Sequence, residues 1–331
     1  MTTELDVLAL GNAIVDVIAR AEEDFLHAQG VAKGSMTLID EAQAEKLYAA
    51  MGPATIISGG SAANTVVGTA SFGGKCAFVG RVKADAVGDV FAHDIVKSGV
   101  AFGTPAAIDG PATARSFILV TPDGERTMNT YLGACQNLSE ADIDPATVAK
   151  AKVTYLEGYL WDPPHAKAAF RKAAEIAHGA GREVALTLSD SFCVDRYRGE
   201  FRDLIKSGTV DLVFANEHEL KALYETADFD TALEALRGEA KRAAVTRSEK
   251  GAVIIEGKVT VPVPACPIES LVDATGAGDA YAAGFLFGYT NGMGYEKAGR
   301  LGALAASHVI QKIGARPARP LKELAQENGL M

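Results

Sequence analysis

The stretch Val272-Asp273-Ala274-Thr275-Gly276-Ala277-Gly278-Asp279-Ala280 carries the residues of this sequence best suited to chemistry. Gly276 and Gly278 free the backbone at the start of a helix predicted over 276–288. The first amides of a helix lack intrahelical partners and carry partial positive charge, so they suit an anion. They suit above all the charge that grows on a phosphoryl group during transfer. Asp279 falls one turn into that helix. A carboxylate there is either a plain charge partner of the helix N-terminus or a base aimed at a hydroxyl that attacks a phosphate held by the same amides. The run is not a Walker loop, because no Lys-Ser or Lys-Thr follows the glycines. Its place near the C-terminal end of the chain also sets it apart from the dinucleotide fingerprint of a first β–α turn.

Three other segments offer related chemistry. Gly59-Gly60-Ser61-Ala62-Ala63-Asn64 puts two glycines and small residues where a second helix begins, which lets a ligand approach the backbone closely. Leu10-Gly11-Asn12 ends an apolar run, and Asp16 follows between Val15 and Val17. That acid is either the polar face of a half-exposed strand or a site residue. Asn216 and Glu219, in Asn-Glu-His-Glu, are either a helix cap with its capping-box partner or polar groups of a site, and the two roles are compatible. His218 reads as a surface residue, and Tyr159 and Trp161 both read as core packing by default, with a place at the edge of a ligand as the alternative. Arg115 and His308 stay open between packing and ligand contact.

These residues need elements that bring them together. Apolar runs at 5–10, 76–79, 153–156, 184–188, 212–215, 243–246, 252–256 and 259–263 read as short strands. Helical stretches separate most of them, at 40–51, 61–70, 85–96, 165–179, 201–207, 217–224, 276–288 and 295–311. Such alternation predicts an α/β fold with a mostly parallel sheet covered on both faces. Residues 107–131 break the pattern. Thr121-Pro122-Asp123-Gly124 between two strand-like runs is a hairpin signal, which suggests a small sheet beside the main body.

Composition limits the function. Of 331 residues, 48% are hydrophobic and 22% charged, as in a globular protein with a sizeable core. Glycine supplies 34 residues, enriched at the two segments where ligands should approach backbone. The net charge of −10 and the lack of a basic stripe argue against a nucleic-acid partner. No long apolar run and no basic leader point to a membrane or an export route, so a cytoplasmic protein is expected. Cys76, Cys135, Cys193 and Cys266 lie far apart and form no zinc-type spacing.

The sequence resembles the ribokinase-like (PfkB) family of carbohydrate and nucleoside kinases. Asp273-Ala-Thr-Gly-Ala-Gly-Asp279 is similar to the family's C-terminal signature, Gly59-Gly60-Ser-Ala-Ala-Asn64 to its N-terminal one, and Leu10-Gly11-Asn12-Ala-Ile-Val-Asp16 to its opening strand. The likeness runs from about residue 5 to about residue 320. It implies a single three-layer α/β/α domain over 1–331, with a small β-sheet lid formed by approximately 13–40 and 107–131. It further implies ATP-dependent phosphoryl transfer with Mg2+, and it allows a monovalent cation such as K+. In that reading Asp279 is the base and Gly276, Ala277 and Gly278 form the anion hole. Asn12, Asp16, Gly60 and Asn64 would hold the acceptor. Asn216, Thr246, Ser248, Gly251, Thr275, Gly276 and Gly278 would contact the nucleotide, and Glu219 would position magnesium, largely through water. Two departures from the family pattern are Ala274 in place of a usual Thr and Ser248 in place of a common Gly. Within the family, the opening Gly11-to-Asp16 run and Leu186-Thr-Leu-Ser189-Asp-Ser-Phe192 are more similar to members that phosphorylate adenosine. Met36, Phe117 and Leu132 are the candidate walls for a base. A sugar kinase of the ribokinase, fructokinase or 2-keto-3-deoxygluconate kinase type is the alternative. A monomer and a homodimer paired through the lids are both compatible with the sequence.

Overall fold

A computed structural model describes residues 4–331; residues 1–3, the start of the N-terminal stretch considered above, lie outside the described residues. The first strand, β1 (Leu5–Leu10), reads as an unbroken apolar run because both its faces are covered. Leu8 and Leu10 enter one core, Val7 and Ala9 the other. Then come β2 (Ile14–Arg20), α1 (Glu23–Gln29), β3 (Met36–Leu38), α2 (Glu41–Ala50), β4 (Ala54–Gly59), α3 (Ser61–Ser71), β5 (Cys76–Val79), α4 (Ala86–Lys97) and β6 (Val100–Phe102). The predicted hairpin follows as β7 (Ala114–Val120) and β8 (Arg126–Tyr131). The regular alternation continues through α5 (Pro145–Lys150), β9 (Ala151–Glu157), α6 (Pro164–Gly179), β10 (Glu183–Thr187), α7 (Ser191–Lys206), β11 (Leu212–Asn216), α8 (Glu217–Leu223), α9 (Phe229–Glu239) and β12 (Arg242–Thr246). It closes with β13 (Ala252–Glu256), β14 (Val259–Val263), α10 (Ala277–Thr290), α11 (Tyr295–Val309) and α12 (Leu321–Glu327).

Nine strands form the central sheet in the order β14-β13-β12-β11-β10-β9-β1-β5-β6. The pairs from β12 to β6 are parallel, and the β12–β13 and β13–β14 pairs at one edge are antiparallel. Helices α6 to α9 cover one face, while α3, α10 and α11 cover the other, giving the three α/β/α layers of a ribokinase-like fold. A second, five-stranded sheet has the order β3-β8-β7-β2-β4. Its strands alternate in facing. Val15, Val17, Phe117 and Leu119 pack into a core with α2 and α4, while Asp16, Ile18, Ser116 and Ile118 face a cavity.

Several elements differ from the sequence reading. The accessory sheet takes in Ala54–Gly59 as an edge strand, beyond the two segments expected for it. The helix expected over 201–207 begins almost three turns earlier, at Ser191, where the Asp190 side chain accepts from Cys193 N at 2.6 Å. Its first half is polar and bends at Tyr197 (φ −124°, ψ 19°), which blurs the helical period. Helices α1, α5, α9 and α12 were absent from that reading; three are only six or seven residues long, too short for periodicity to stand out. Phe117 points into the core rather than the cavity, because its neighbours Ser116 and Ile118 take the cavity face.

Candidate active site

The parallel strands of the central sheet end at one place. Asn12 follows β1, and Glu157, Thr187, Asn216 and Thr246 close β9, β10, β11 and β12. All five line a cavity of about 800 Å³, roofed by the accessory sheet. Crevices at the carboxyl ends of strands are where open α/β sheets hold ligands, and the volume suits small molecules.

Helices α3 and α10 enter the cavity with their N-termini. They lie close, because a Cβ on Gly68 of α3 would sit 2.6 Å from the Ala283 Cβ of α10. This contact sets Asp279 against α3. Its Oδ1 accepts from Ser61 Oγ at 2.6 Å and its Oδ2 from Asn64 Nδ2 at 3.3 Å. Burial pushes the Asp279 carboxyl up to about 6, against the lowering effect of these two hydrogen bonds and of Arg316. Gly276 caps α10 with φ +77°, and a side chain there would meet Ala315 Cβ at 2.5 Å. The Ala277 amide donates to Ala274 O at 3.2 Å, so this member of the expected anion hole is engaged in a turn. Asp273 braces the loop by accepting from Thr275 N at 3.0 Å and Gly314 N at 2.8 Å.

Asp16 faces the cavity from β2, and burial pushes its carboxyl up to about 6 as well, partly offset by Arg316 and Arg126. Gly59 on β4 leaves room for it, since a Cβ there would overlap the Asp16 carboxylate. Gly60 (φ +94°) brings the start of α3 against the Asn12 carbonyl. Glu157, 1% exposed, locks this corner. Its Oε2 accepts from Ala62 N at 2.9 Å and Asn12 N at 3.3 Å, and its Oε1 from Asn12 Nδ2 at 2.7 Å. Burial outweighs these three donors and pushes the Glu157 carboxyl up to about 7.

Across the cavity, Asn216 caps α8 in a full capping box. Its side chain accepts from Glu219 N at 2.9 Å, and Glu219 accepts from Asn216 N at 2.9 Å and Nδ2 at 2.5 Å. Burial pushes the Glu219 carboxyl up to about 7. Among the described residues no group of three or more His, Cys, Asp and Glu could hold a metal ion by itself. One buried, hydrogen-bonded carboxylate fits magnesium that arrives on nucleotide phosphates and keeps its waters, which is how this ion is usually bound.

The structure thus gathers Asn12, Asp16, Gly60, Asn64, Asn216, Glu219, Thr246, Thr275, Gly276, Ala277, Gly278 and Asp279 around one cavity. Ser248 and Gly251 do not line it. They form a tight turn between β12 and β13, with Gly251 N donating to Ser248 O at 3.0 Å and Ser248 itself at φ +51°. Arg115 is also elsewhere, buried against Glu45 on α2. Trp161 is core, its Nε1 donating to Glu200 at 3.0 Å, whereas Tyr159 does line the cavity and His218 is exposed.

Sequence reasoning missed Ser61, Arg126, Glu157 and Arg316. Arg126 opens β8 and pairs with Asp273 at 2.7 Å, tying the accessory sheet to the glycine-rich loop, while its Nε and terminal Nη2 are buried without hydrogen-bond partners. Glu157 could have been found as an acid closing an apolar run at the carboxyl end of a strand. Arg316 offered no local signal, because it meets the site only through a loop after the last long helix.

Comparison with known proteins finds a matching family model, similar solved structures and sequence relatives. The model of the pfkB family of carbohydrate kinases matches residues 6–322. Among solved structures, a probable sugar kinase from Rhizobium etli superposes with a TM-score of 0.93 at 55% identity, covering 100% of both chains. An adenosine kinase from Sinorhizobium meliloti superposes with a TM-score of 0.92 at 56% identity, covering 98% of this chain and 100% of that one. An uncharacterized sugar kinase from Archaeoglobus fulgidus is 28% identical over 261 residues, 77% of this chain and 98% of its own length.

Proposed function

Because the chain belongs to the pfkB family of carbohydrate kinases, it transfers phosphate from ATP to a small polyol or nucleoside, and we propose that the acceptor is adenosine, phosphorylated on its 5′-hydroxyl to give AMP and ADP. The observation that carries this reading is the apolar wall beside Asp16. Ile14, Ile18, Ile118, Met36, Met128 and Leu132 line the accessory-sheet side of the cavity. A flat nucleobase would bury that wall, with a gain of roughly 25 cal/mol per Å² of apolar surface removed from water. A free sugar, hydroxylated all round, would leave it without a partner. The likeness to the Sinorhizobium meliloti adenosine kinase supports the same reading.

The polar residues then divide the work. Asp16 and Asn64 hold ribose hydroxyls, with Asn12 and Gly60 shaping the corner that Glu157 locks. Asp279 takes the proton of the 5′-hydroxyl as it attacks the γ-phosphorus. The amides at the start of α10 and the guanidinium of Arg126 meet the phosphoryl oxygens as charge builds on them. Glu219 would hold magnesium through water, and the ion would supply neutralisation of phosphate charge. The accessory sheet acts as a lid that keeps water from competing as acceptor.

The test is ADP release with adenosine, inosine, ribose, fructose and 2-keto-3-deoxygluconate as acceptors. Adenosine should exceed each sugar in kcat/KM by at least about 100-fold, a difference of about 2.7 kcal/mol in the transition state. A sugar as the best acceptor would overturn the assignment and leave the sugar-kinase reading, which the Rhizobium etli neighbour represents.

A further inference from the structure

We propose that Arg316 is a positioning residue for phosphoryl transfer, fixing the Asn64 amide so that its nitrogen faces Asp279 and placing one cation between the acceptor side and the base side of the site. The inference rests on the reading of Asp279 as the base. Arg316 belongs to none of the segments that carry the sequence resemblance, and it does not line the cavity. It stands behind the first layer of site residues.

The geometry is specific. Arg316 Nε donates to Asn64 Oδ1 at 2.7 Å, and its Nη2 donates to Ser58 O at 2.8 Å and Ser58 Oγ at 3.0 Å. A guanidinium has donors only, so it can meet just the oxygen end of an amide. Asn64 is therefore held with Nδ2 turned toward Asp279 Oδ2, 3.3 Å away. Ser58 is fully buried and is held in its turn by Asp94 on α4, whose Oδ2 accepts from Ser58 N at 2.9 Å and Ser58 Oγ at 2.6 Å. The chain of contacts runs from Asp94 through Ser58, Arg316 and Asn64 to Asp279, linking β4, α3, α10 and the C-terminal loop.

Arg316 makes no close ion pair among the described residues; its carboxylate neighbours act from a distance. Burial pulls its guanidinium down to about 10, opposed by Asp94, Asp16 and Asp279, so it stays charged at neutral pH. The other groups that face this cluster are Arg126 on β8, Glu157 closing β9, Glu219 on α8, and the phenols of Tyr155 and Tyr159, both pushed up by burial and neutral. Three carboxylates, of Asp94, Glu157 and Glu219, and one further arginine thus surround Asp16 and Asp279, the two acids that Arg316 helps to keep ionised. Removing its charge raises both carboxyls and moves the acid limb of the rate to higher pH.

The experiment compares Arg316→Gln and Arg316→Lys with the unmodified enzyme, measuring kcat and KM for adenosine and for ATP across pH 5–9, with Asp279→Asn beside them. Arg316→Gln should move the acid limb of kcat/KM up by about one pH unit and lower kcat about tenfold, with the KM for ATP changed less than about twofold. Arg316→Lys should keep the limb in place, since the charge remains, yet lower kcat by roughly threefold, since a point charge cannot pin the amide. The proposal falls if Arg316→Gln leaves limb and kcat unmoved, or if Arg316→Lys moves the limb as far as Arg316→Gln does. Should Arg316→Gln fail to melt cooperatively, Arg316→Lys decides alone, and an unchanged kcat overturns the proposal. Asp279→Asn separates the two readings: full activity there removes the base itself, whereas a dead Asp279→Asn beside a normal Arg316→Gln removes only the role of Arg316.

Discussion

Replacing Glu157 by glutamine should stabilise this protein above neutral pH and leave it unchanged near pH 4. Glu157 is 1% exposed, and burial holds its carboxyl near 7 instead of the ordinary 4.5, although three donors from Asn12 and Ala62 favour the charged form. A carboxylate whose folded value is raised contributes stability at low pH and loses it as pH climbs through the interval from 4.5 to about 7. At about 1.4 kcal/mol per pH unit, that interval amounts to about 3 kcal/mol. Glutamine has nearly the same shape and stays neutral, so it mimics the protonated acid. The difference between the two proteins should be negligible at pH 4, about 2 kcal/mol at pH 6 and about 3 kcal/mol at pH 8, with the variant the more stable. Equilibrium denaturation of both proteins from pH 4 to pH 8 measures it, since the titrations of all other groups largely cancel in the difference. Parallel stability curves, or a variant less stable at pH 8, would refute the reasoning. A gain in stability accompanied by weaker acceptor binding would fit a residue retained for the site, in line with the usual trade between stability and function.

Other consequences are tested more simply. Asp16→Asn should raise the KM for adenosine by roughly 10- to 100-fold, the worth of a charged hydrogen bond, and leave the KM for ATP within about twofold; equal effects on both substrates would contradict the assignment. Because the Asp279 and Asp16 carboxyls are both pushed up to about 6, kcat/KM should fall at least about tenfold per pH unit on the acid side of that value, a limb that pH-rate profiles would place near 6 and not near 4. Gly276→Ala should lower both stability and kcat. The left-handed backbone at φ +77° costs alanine about 1–2 kcal/mol, and its Cβ would press on Ala315; thermal melts and initial rates that match the parent would contradict this.

Much of this molecule is legible in one sequence because its signals are local. Short apolar runs with both faces covered announce the central strands, and Pro122-Asp123-Gly124 announces the hairpin of the accessory sheet. The cavity residues beside glycines were legible for a related reason, since paired glycines at a helix start let other groups approach the backbone closely. What stayed hidden depends on distant parts of the chain. Arg316 reaches Asn64 across 252 positions, and Glu157 reaches Ala62 across 95. Nothing near either residue records the partner. Phe117, a candidate wall for a base by its apolar character alone, faces the core instead, because its strand neighbours Ser116 and Ile118 take the cavity face. The capping box of Asn216 and Glu219 is an intermediate case: its local pattern was readable, and the structure places that same pair on the cavity wall.

The central claim is that Asp279 is the base of a phosphoryl transfer to adenosine, and Asp279→Asn tests it most directly. Initial-rate ADP release with adenosine, together with calorimetric binding of adenosine and of ATP, separates chemistry from affinity. The variant should lose about 10²- to 10⁴-fold in kcat and bind each ligand within a few-fold of the parent. A kcat comparable to that of the unmodified enzyme would contradict the account.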